Sequence, residues 1–363
     1  MGTRLPVEKQ GPINIQDRKK EGLIITLNDK VQARKASTLF ECVHLLHNAL
    51  PEIDLDEVDA SAKFLGSKFS APIVIDSMTG GTPLATKING RLAHAAEEFG
   101  LGMGVGSQRA GLKSSAMAET YKIVRNNAPN AFIFANIGGA QVAEGLAIKS
   151  LRNLIEMIDA NALAVHLNPL QELIQPEGEP KFRGILERIS ELSVELDVPI
   201  IVKEVGAGIS ADVAKKLEKN GVDAINVSGL GGTSWAGVEK IRASTKKVDV
   251  KANLGEIFWD WGIPTAASLI QVRNAVRLPL IASGGLRSGV DLVKGITLGA
   301  TLGALAHPML THAAQSYSSL QKFVGETIHQ IRGAMFLVGA KNIIQLTNVK
   351  YVISDPLRYW INE

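Results

Sequence analysis

Residues 199–229 read PIIVKEVGAGISADVAKKLEKNGVDAINVSG, and their pattern decides the fold. The stretch opens on a short apolar, β-branched run, Pro199–Val202, and closes on a second, Ala224–Val227. Between Ser210 and Asn220, Val213, Ala214 and Leu217 form an apolar face opposite Lys215, Lys216, Glu218 and Lys219, the spacing of an amphipathic helix. Gly221 is placed to end that helix, because glycine enters the left-handed conformation of a helix terminus without steric cost. Two buried strands joined by a helix make a parallel βαβ unit, since parallel neighbours need a long crossover.

The same rhythm extends in both directions. Comparable runs occur at Pro72–Asp76, Leu101–Val105, Phe132–Ala135, Ala162–Leu167, Pro279–Ala282 and Thr301–Ala306, which brings the number to eight. Eight βα units over about 240 residues fit a closed (β/α)8 TIM barrel of the α/β class. A doubly wound open sheet is the alternative, and no G-x-G-x-x-G segment opens its first helix. Residues 1–70 are irregular and rich in charge, so they are expected to form an N-terminal extension packed on a barrel of residues 71–363 that carries C-terminal helices.

With 45% hydrophobic and 21% charged residues the composition is globular. A net charge of +3, with Lys and Arg spread along the chain, gives no basic patch for nucleic acid. The single cysteine, Cys42, excludes an internal disulfide. Met1 to Gln10 has no apolar core of a signal peptide, and no apolar run is long enough for a membrane span. The expectation is a cytoplasmic, soluble protein.

Each apolar run gives way to a polar or glycine-rich segment, and in a barrel the carboxyl ends of all strands share one face, where catalytic groups gather. The segments are Ser77-Met78-Thr79-Gly80-Gly81, Gly106-Ser107-Gln108-Arg109, Asn136, and His166 with Asn168, Gln171 and Glu172. They continue with Lys203-Glu204, Ser228-Gly229 with Gly231-Gly232-Thr233, Ser283-Gly284-Gly285 with Arg287, and His307. Taken singly, a glycine pair is a tight turn, His166 a hydrogen-bonded strand-end residue, and Ser107 or Ser228 a helix cap. Lys203 is harder to place so, because lysine is rarely buried without a partner. Gly284-Gly285 before a helix starting near Ser288 presents backbone N–H groups to an anion, at the loops where barrels hold phosphate. The basic run Arg18-Lys19-Lys20 reads on charge patterning as a solvated surface; the other reading folds it over the barrel mouth to meet a second anion.

In this order the segments resemble the type 2, flavin-dependent isopentenyl-diphosphate isomerases, and most closely the archaeal members. The likeness rests on Met78–Gly81 (MTGG), Gly104–Arg109 (GVGSQR), His166–Glu172 (HLNPLQE), Gly231–Trp235 (GGTSW), Trp261–Thr265 (WGIPT) and Ser283–Gly289 (SGGLRSG), and spans nearly the whole chain. It implies reduced FMN as cofactor, NADPH as its reductant and Mg²⁺ on the substrate diphosphate. Around FMN it implies Met78, Thr79, Ser107, Asn136, Lys203, Ser228 and Thr233, with Gly284, Gly285, Arg287 and Ala306 at the phosphate end. Arg18, Lys19, Ser107, Arg109, His166, Asn168 and Gln171 would bind isopentenyl or dimethylallyl diphosphate, and Glu172 the metal. Lys203 would stabilise anionic reduced flavin; Gln171 would orient or relay a proton, with Glu239 contributing. A homo-oligomer, tetramer or octamer, is implied as well. The chain departs from the family at Gly22, where a histidine often stands, with Lys20 as the candidate replacement. Ser77 and His307 occupy positions where small or apolar residues are expected.

Three other readings compete. An FMN-dependent α-hydroxy-acid oxidase or dehydrogenase uses a similar barrel but wants a catalytic His beside arginines at the late strands; no His-Gly-Gly-Arg segment occurs, and strand seven offers Arg287 alone. An IMP-dehydrogenase-like enzyme needs a cysteine on a barrel loop, and Cys42 precedes the barrel. A non-catalytic flavin-binding barrel would have no use for His166, Gln171 and Glu172.

Overall fold

The structure, a computed structural model, describes residues 15–28 and 30–361. Met1 to Gln10, read above for a signal peptide, lies outside them. Eight parallel strands close into a barrel: β1 (Ile73–Ile75), β2 (Gly102–Gly104), β3 (Phe132–Gly138), β4 (Ala162–His166), β5 (Ile200–Lys203), β6 (Ala224–Asn226), β7 (Leu280–Ala282) and β8 (Leu302–Leu305). Each pairs with its sequence neighbour, and β8 returns to β1 through Gly303 opposite Ile73. All eight lie within or across the runs read from sequence. β3 runs three residues further than its apolar run, because Asn136, Ile137 and Gly138 keep pairing with β4 up to His166.

The helix Ala211–Lys219 shows how local sequence sets these units. The Ser210 hydroxyl caps its start by accepting from the Val213 amide, and Gly221, at φ 79°, ends it. There the Gly221 amide donates to Glu218 and that of Val222 to Leu217, which satisfies the last carbonyls. Ala214 and Leu217 are buried, but Val213 is exposed and does not belong to the apolar face. It sits on the solvent edge of that face, where helical spacing alone does not separate it from Ala214.

Side chains alternate strictly along each strand. Val74, Phe132, Phe134, Ala162, Ala164, Ile201, Ala224, Ile281, Leu302 and Ala304 point inward and form one core with Phe64 and Phe69. Those two phenylalanines come from a hairpin (Ala62–Phe64 paired with Ser67–Phe69) that precedes the barrel and meets Phe132 edge-on and tilted, at centroid distances of 5.9 and 5.6 Å. Gly102 and Gly104 provide the room, since a Cβ there would lie 2.6 Å from Phe69 and 2.1 Å from Phe134. A second tie joins Val43–Leu45 antiparallel to Tyr351–Ile353. Among the described residues no helix is long and apolar enough to cross a membrane.

Candidate active site

One pocket opens at the carboxyl ends of the strands, where the inward alternation passes from apolar to polar. Two residues beyond Val74 stands Asp76; beyond Phe134, Asn136; beyond Ala164, His166; beyond Ile201, Lys203; beyond Ala224, Asn226; beyond Ile281, Ser283. The pocket is lined by Met78, Thr79, Ser107, Arg109, Asn136 and His166. Asn168, Gln171, Glu172, Lys203, Ser228, Thr233 and Glu239 join them, as do Gly284, Gly285, Arg287 and Ala306. Sequence reasoning had named each of these.

The N-terminal helix Ile15–Asn28 closes over this mouth, which decides the reading of the basic run. Arg18 and Lys19 line the pocket, whereas Lys20 is exposed and is not the replacement for the missing histidine. Helical spacing sends it outward while Gly22 faces in, with a Cβ there 3.9 Å from the Trp235 ring. Lys19 Nζ donates to the Ser107 carbonyl at 2.7 Å and to the Tyr121 hydroxyl at 3.0 Å, and Tyr121 donates to the same carbonyl. The Gly80-Gly81 turn seats this arm, since a Cβ on Gly81 would meet Lys19 at 2.9 Å and one on Gly80 would overlap Tyr121. Burial, then the charge of Arg18, lowers the Lys19 pKa to about 7. His307 has its account here too, since its Nε2 meets the Thr26 carbonyl of the same helix at 3.2 Å.

His166 is held in one tautomer. The Asn136 amide nitrogen donates to the Val105 carbonyl (3.0 Å), so its oxygen accepts from His166 Nδ1 (2.8 Å), leaving Nε2 with a lone pair. Burial, then Lys203, Lys19 and Arg18, pushes its pKa down to about 3, so the ring is neutral. Asn136 is in turn fixed by Gln108, which accepts from its backbone amide and donates to Leu154. Thr79 is engaged with Asn89 at 2.6 Å, and Thr233 accepts from Gln32 at 3.3 Å. Neither Ser107 nor Ser228 caps a helix through its side chain: Ser107 precedes a short 3-10 turn without such a bond, and Ser228 stands at φ 37°, a left-handed backbone unusual for serine.

The anion cradle differs in detail from its sequence reading. The helix Gly289–Thr297 does start at Ser288, but its first amides are taken: Asp291 accepts from Arg287 and Ser288, and Gln330 from Gly289. Among the amides that keep no partner among the described residues are those of Gly284, Gly285, Leu286, Ala306 and His307. Gly284 and Gly285 have φ of 99° and 79°, and a Cβ on either would strike the Gly229 or Gly231 backbone. The late loops thus pack backbone on backbone, and their free donors face the pocket beside Arg287.

Comparison with known proteins then places the chain. The family model for FMN-dependent dehydrogenases matches residues 171–352. The isopentenyl-diphosphate delta-isomerase of Methanosarcina acetivorans is 48% identical over 349 residues, covering 96% of this chain and 95% of the relative. That of Halobacterium salinarum is 46% identical over 98% of both chains. The chain belongs to the isopentenyl-diphosphate delta-isomerase family. Among solved structures, a lactate oxidase of Pediococcus acidilactici superposes with TM-score 0.69 at 16% identity, covering 94% of this chain and 93% of that one. A mandelate oxidase variant with benzaldehyde gives 0.65 at 16%, covering 93% and 98%. At that identity the likeness shows the shared barrel and nothing of the reaction.

In this isomerase-family pocket Gln171 is gripped at both ends of its amide. Nε2 donates to Glu239 at 3.1 Å and Oε1 accepts from Asn168 at 3.1 Å. Glu239 is buried, which raises its pKa against the pull of Arg242. Arg242, 1% exposed, is a hub that sequence reasoning missed, bonded to Glu239 (2.5 Å), Glu177 (2.7 Å) and Glu21 of the N-terminal helix (2.9 Å). Its partners Glu21 and Glu177 lie 221 and 65 residues away, a separation that leaves no local signal. Asp76 was missed differently, because it keeps the inward phase of Val74 but was counted as the last residue of an apolar run. Glu172 Oε1 accepts from Asn168 at 3.3 Å and Oε2 from the Glu179 amide at 3.1 Å. No cluster of three or more His, Cys, Asp or Glu suited to a metal occurs among the described residues.

Proposed function

We propose that this pocket isomerises isopentenyl diphosphate to dimethylallyl diphosphate on reduced FMN. Membership of the isomerase family and the FMN-dependent dehydrogenase model carry the reaction class and the cofactor. The observation that carries the site is the neutral amide of Gln171, fixed between Asn168 and Glu239, in one pocket with two cationic groups. One group is Arg18, Lys19 and Arg109 at the mouth; the other is Arg287 with the free amides of residues 284–286, 306 and 307. A cofactor phosphate and a substrate diphosphate need two such places.

The residues fit FMN. The late-loop cradle would take its phosphate, Met78, Thr79, Ser107, Asn136, Ser228 and Thr233 would hold the ring, and Lys203 would stabilise its anionic reduced form. Bound and reduced, FMN supplies an electron-rich surface for a cation-like substrate and a place to carry a proton. Isomerisation adds a proton to the terminal methylene and removes another from the carbon next to the CH₂–O group, with no net redox change. Gln171 keeps its second N–H and second oxygen lone pair for the substrate, which orients the reacting carbons and can relay a proton. Arg18, Lys19, Arg109, Asn168 and His166 hold the diphosphate, and the helix carrying Arg18 and Lys19 keeps water from the cation.

Glu172 lines the pocket without belonging to a cluster of three or more His, Cys, Asp or Glu among the described residues, which suits Mg²⁺ bound mainly by diphosphate and water and not by a protein cage. NADPH as reductant, a cytoplasmic setting, a homo-oligomer of four or eight chains, and an N-terminal extension of residues 1–70 on a barrel of 71–363 complete the proposal. The test is anaerobic incubation of the purified protein with isopentenyl diphosphate, FMN, Mg²⁺ and NADPH. Dimethylallyl diphosphate that disappears when FMN or reductant is omitted is the expected result. Bound FMN without product would reject the isomerase and favour hydroxy-acid oxidation.

A further inference from the structure

Asp76 ends β1 with its carboxylate turned into the barrel, 4% exposed, and lines the pocket together with Lys203. Its Oδ1 accepts from the Ser77 amide at 2.7 Å, Asn226 Nδ2 stands 3.4 Å from both carboxylate oxygens, and Lys203 Nζ is 3.7 Å from Oδ1. Asn226, itself fully buried, accepts from the Ser283 hydroxyl. Four strand ends thus converge on one charge pair. The pair is loose: Lys203 spends one N–H on the Glu204 carbonyl at 2.8 Å and stands too far from the Asp76 carboxylate for a tight hydrogen bond. An ammonium with three donors therefore retains some for a ligand above it. The neighbouring Ser77 hydroxyl, buried on the same pocket wall, has no partner among the described residues. A ligand in this pocket therefore meets the sum of a lysine and an aspartate, not a lone cation.

We propose that Asp76 is a positioning residue that sets the field Lys203 exerts on the flavin. Its carboxylate partly cancels the charge of the ammonium beside it, so that reduced FMN is held without being drained of the electron density that proton carriage needs. The inference rests on the proposed placing of Lys203 at the flavin ring. A unit charge within about 6 Å, at an effective dielectric near 20, changes a charge-dependent equilibrium by more than tenfold.

The test compares wild type, Asp76→Asn, Asp76→Glu and Lys203→Met as full-length holoproteins. Dissociation constants are measured for oxidised and for anaerobically reduced FMN, and the midpoint potential by dye equilibration. Asp76→Asn should favour reduced over oxidised FMN by tenfold or more, an upward shift of at least 29.6 mV for the two-electron couple. Asp76→Glu should keep the wild-type ratio, and Lys203→Met should move it the opposite way. A purely structural role for Asp76 would weaken both forms in parallel and leave the ratio unchanged, which overturns the inference. A shift in Asp76→Glu as large as in Asp76→Asn also overturns it, because the charge would not be the cause. If Lys203→Met leaves the ratio unmoved, the placing of Lys203 fails and the inference with it. If Lys203→Met shifts it and Asp76→Asn does not, only the role of Asp76 falls. Should Asp76→Asn not fold, Asp76→Ser carries the same expectation.

Discussion

Replacing Arg242 by methionine removes the cation on which three carboxylates converge. Lys246 stays 2.6 Å from Glu177 and 3.5 Å from Glu21, so those two keep a partner. Glu239, 2% exposed, keeps only the Gln171 amide. Stranding one buried charge in this way costs about 3–5 kcal/mol. With an unfolding entropy near 2.1 cal/mol/K per residue, a chain of 363 residues loses about 4–7 °C in Tm for that cost. The catalytic effect has a definite sign. Burial already raises the Glu239 pKa and Arg242 is foremost among the groups that lower it, so its loss raises the pKa further. Glu239 then takes up a proton at a higher pH, Gln171 loses an ionised acceptor, and the acid limb of the kcat profile moves upward. Scanning calorimetry and a pH-rate series on R242M, E239Q and the double variant separate these effects. Removing both members of a buried pair costs much less than removing one, so the double variant should recover most of the Tm loss. A Tm within about 1 °C of wild type for R242M, with an unmoved acid limb, would refute the claim that the hub holds Glu239 and through it Gln171.

The site's protonation states lead to three further outcomes. Lys19 loses its charge in the free protein above about pH 7, so KM for the diphosphate should rise through pH 8 while kcat changes little. Lys19→Arg, charged throughout, should flatten that rise; a KM independent of pH in wild type contradicts it. His166 is neutral, with the Nε2 lone pair free, and must gain a proton to donate to a diphosphate. Substrate binding should therefore take up protons, seen as a buffer-dependent enthalpy in calorimetry, and His166→Ala should reduce the uptake. For Glu177, burial raises the pKa but hydrogen bonds from Arg242 and Lys246 outweigh it and bring it to about 2, below the ordinary 4.5. A depressed folded-state pKa contributes stability above the unfolded value and loses it as pH falls, here between 4.5 and 2. Glu177→Gln should be less stable than wild type at pH 7 and show a shallower acid loss across that window, and parallel acid melting curves for the two would count against this.

The sequence carried the barrel because short buried strands and their crossover helices are local events, marked by β-branched runs and by stops such as Gly221. It carried most of the rim for a related reason. The period of two that turns Val74, Phe134, Ala164, Ile201 and Ala224 inward continues unbroken into Asp76, Asn136, His166, Lys203 and Asn226, so core and site are successive layers of one pattern. Extending that phase by one step, instead of stopping where hydrophobicity stopped, would have found Asp76. No such extension finds Arg242. It lies in the last turn of the helix Trp235–Thr245, and its meaning comes from Glu21, Glu177 and Glu239, which only the folded chain gathers. The mouth arm has the same character. In sequence Arg18 and Lys19 are a short basic run like any exposed one; what makes them site residues is the seat formed by Gly80-Gly81 and Tyr121 and the anchor from Glu21 to Arg242. That anchor joins the arm proposed to hold the diphosphate to the carboxylate bonded to Gln171. Cutting it at Glu21, a partly exposed residue, should loosen the arm while leaving the Arg242–Glu239 bond intact. Glu21→Gln should therefore raise KM more than it lowers kcat, whereas R242M should raise KM and lower kcat together; a fall in kcat with KM unmoved in R242M would mean that arm and amide are not coupled through Arg242.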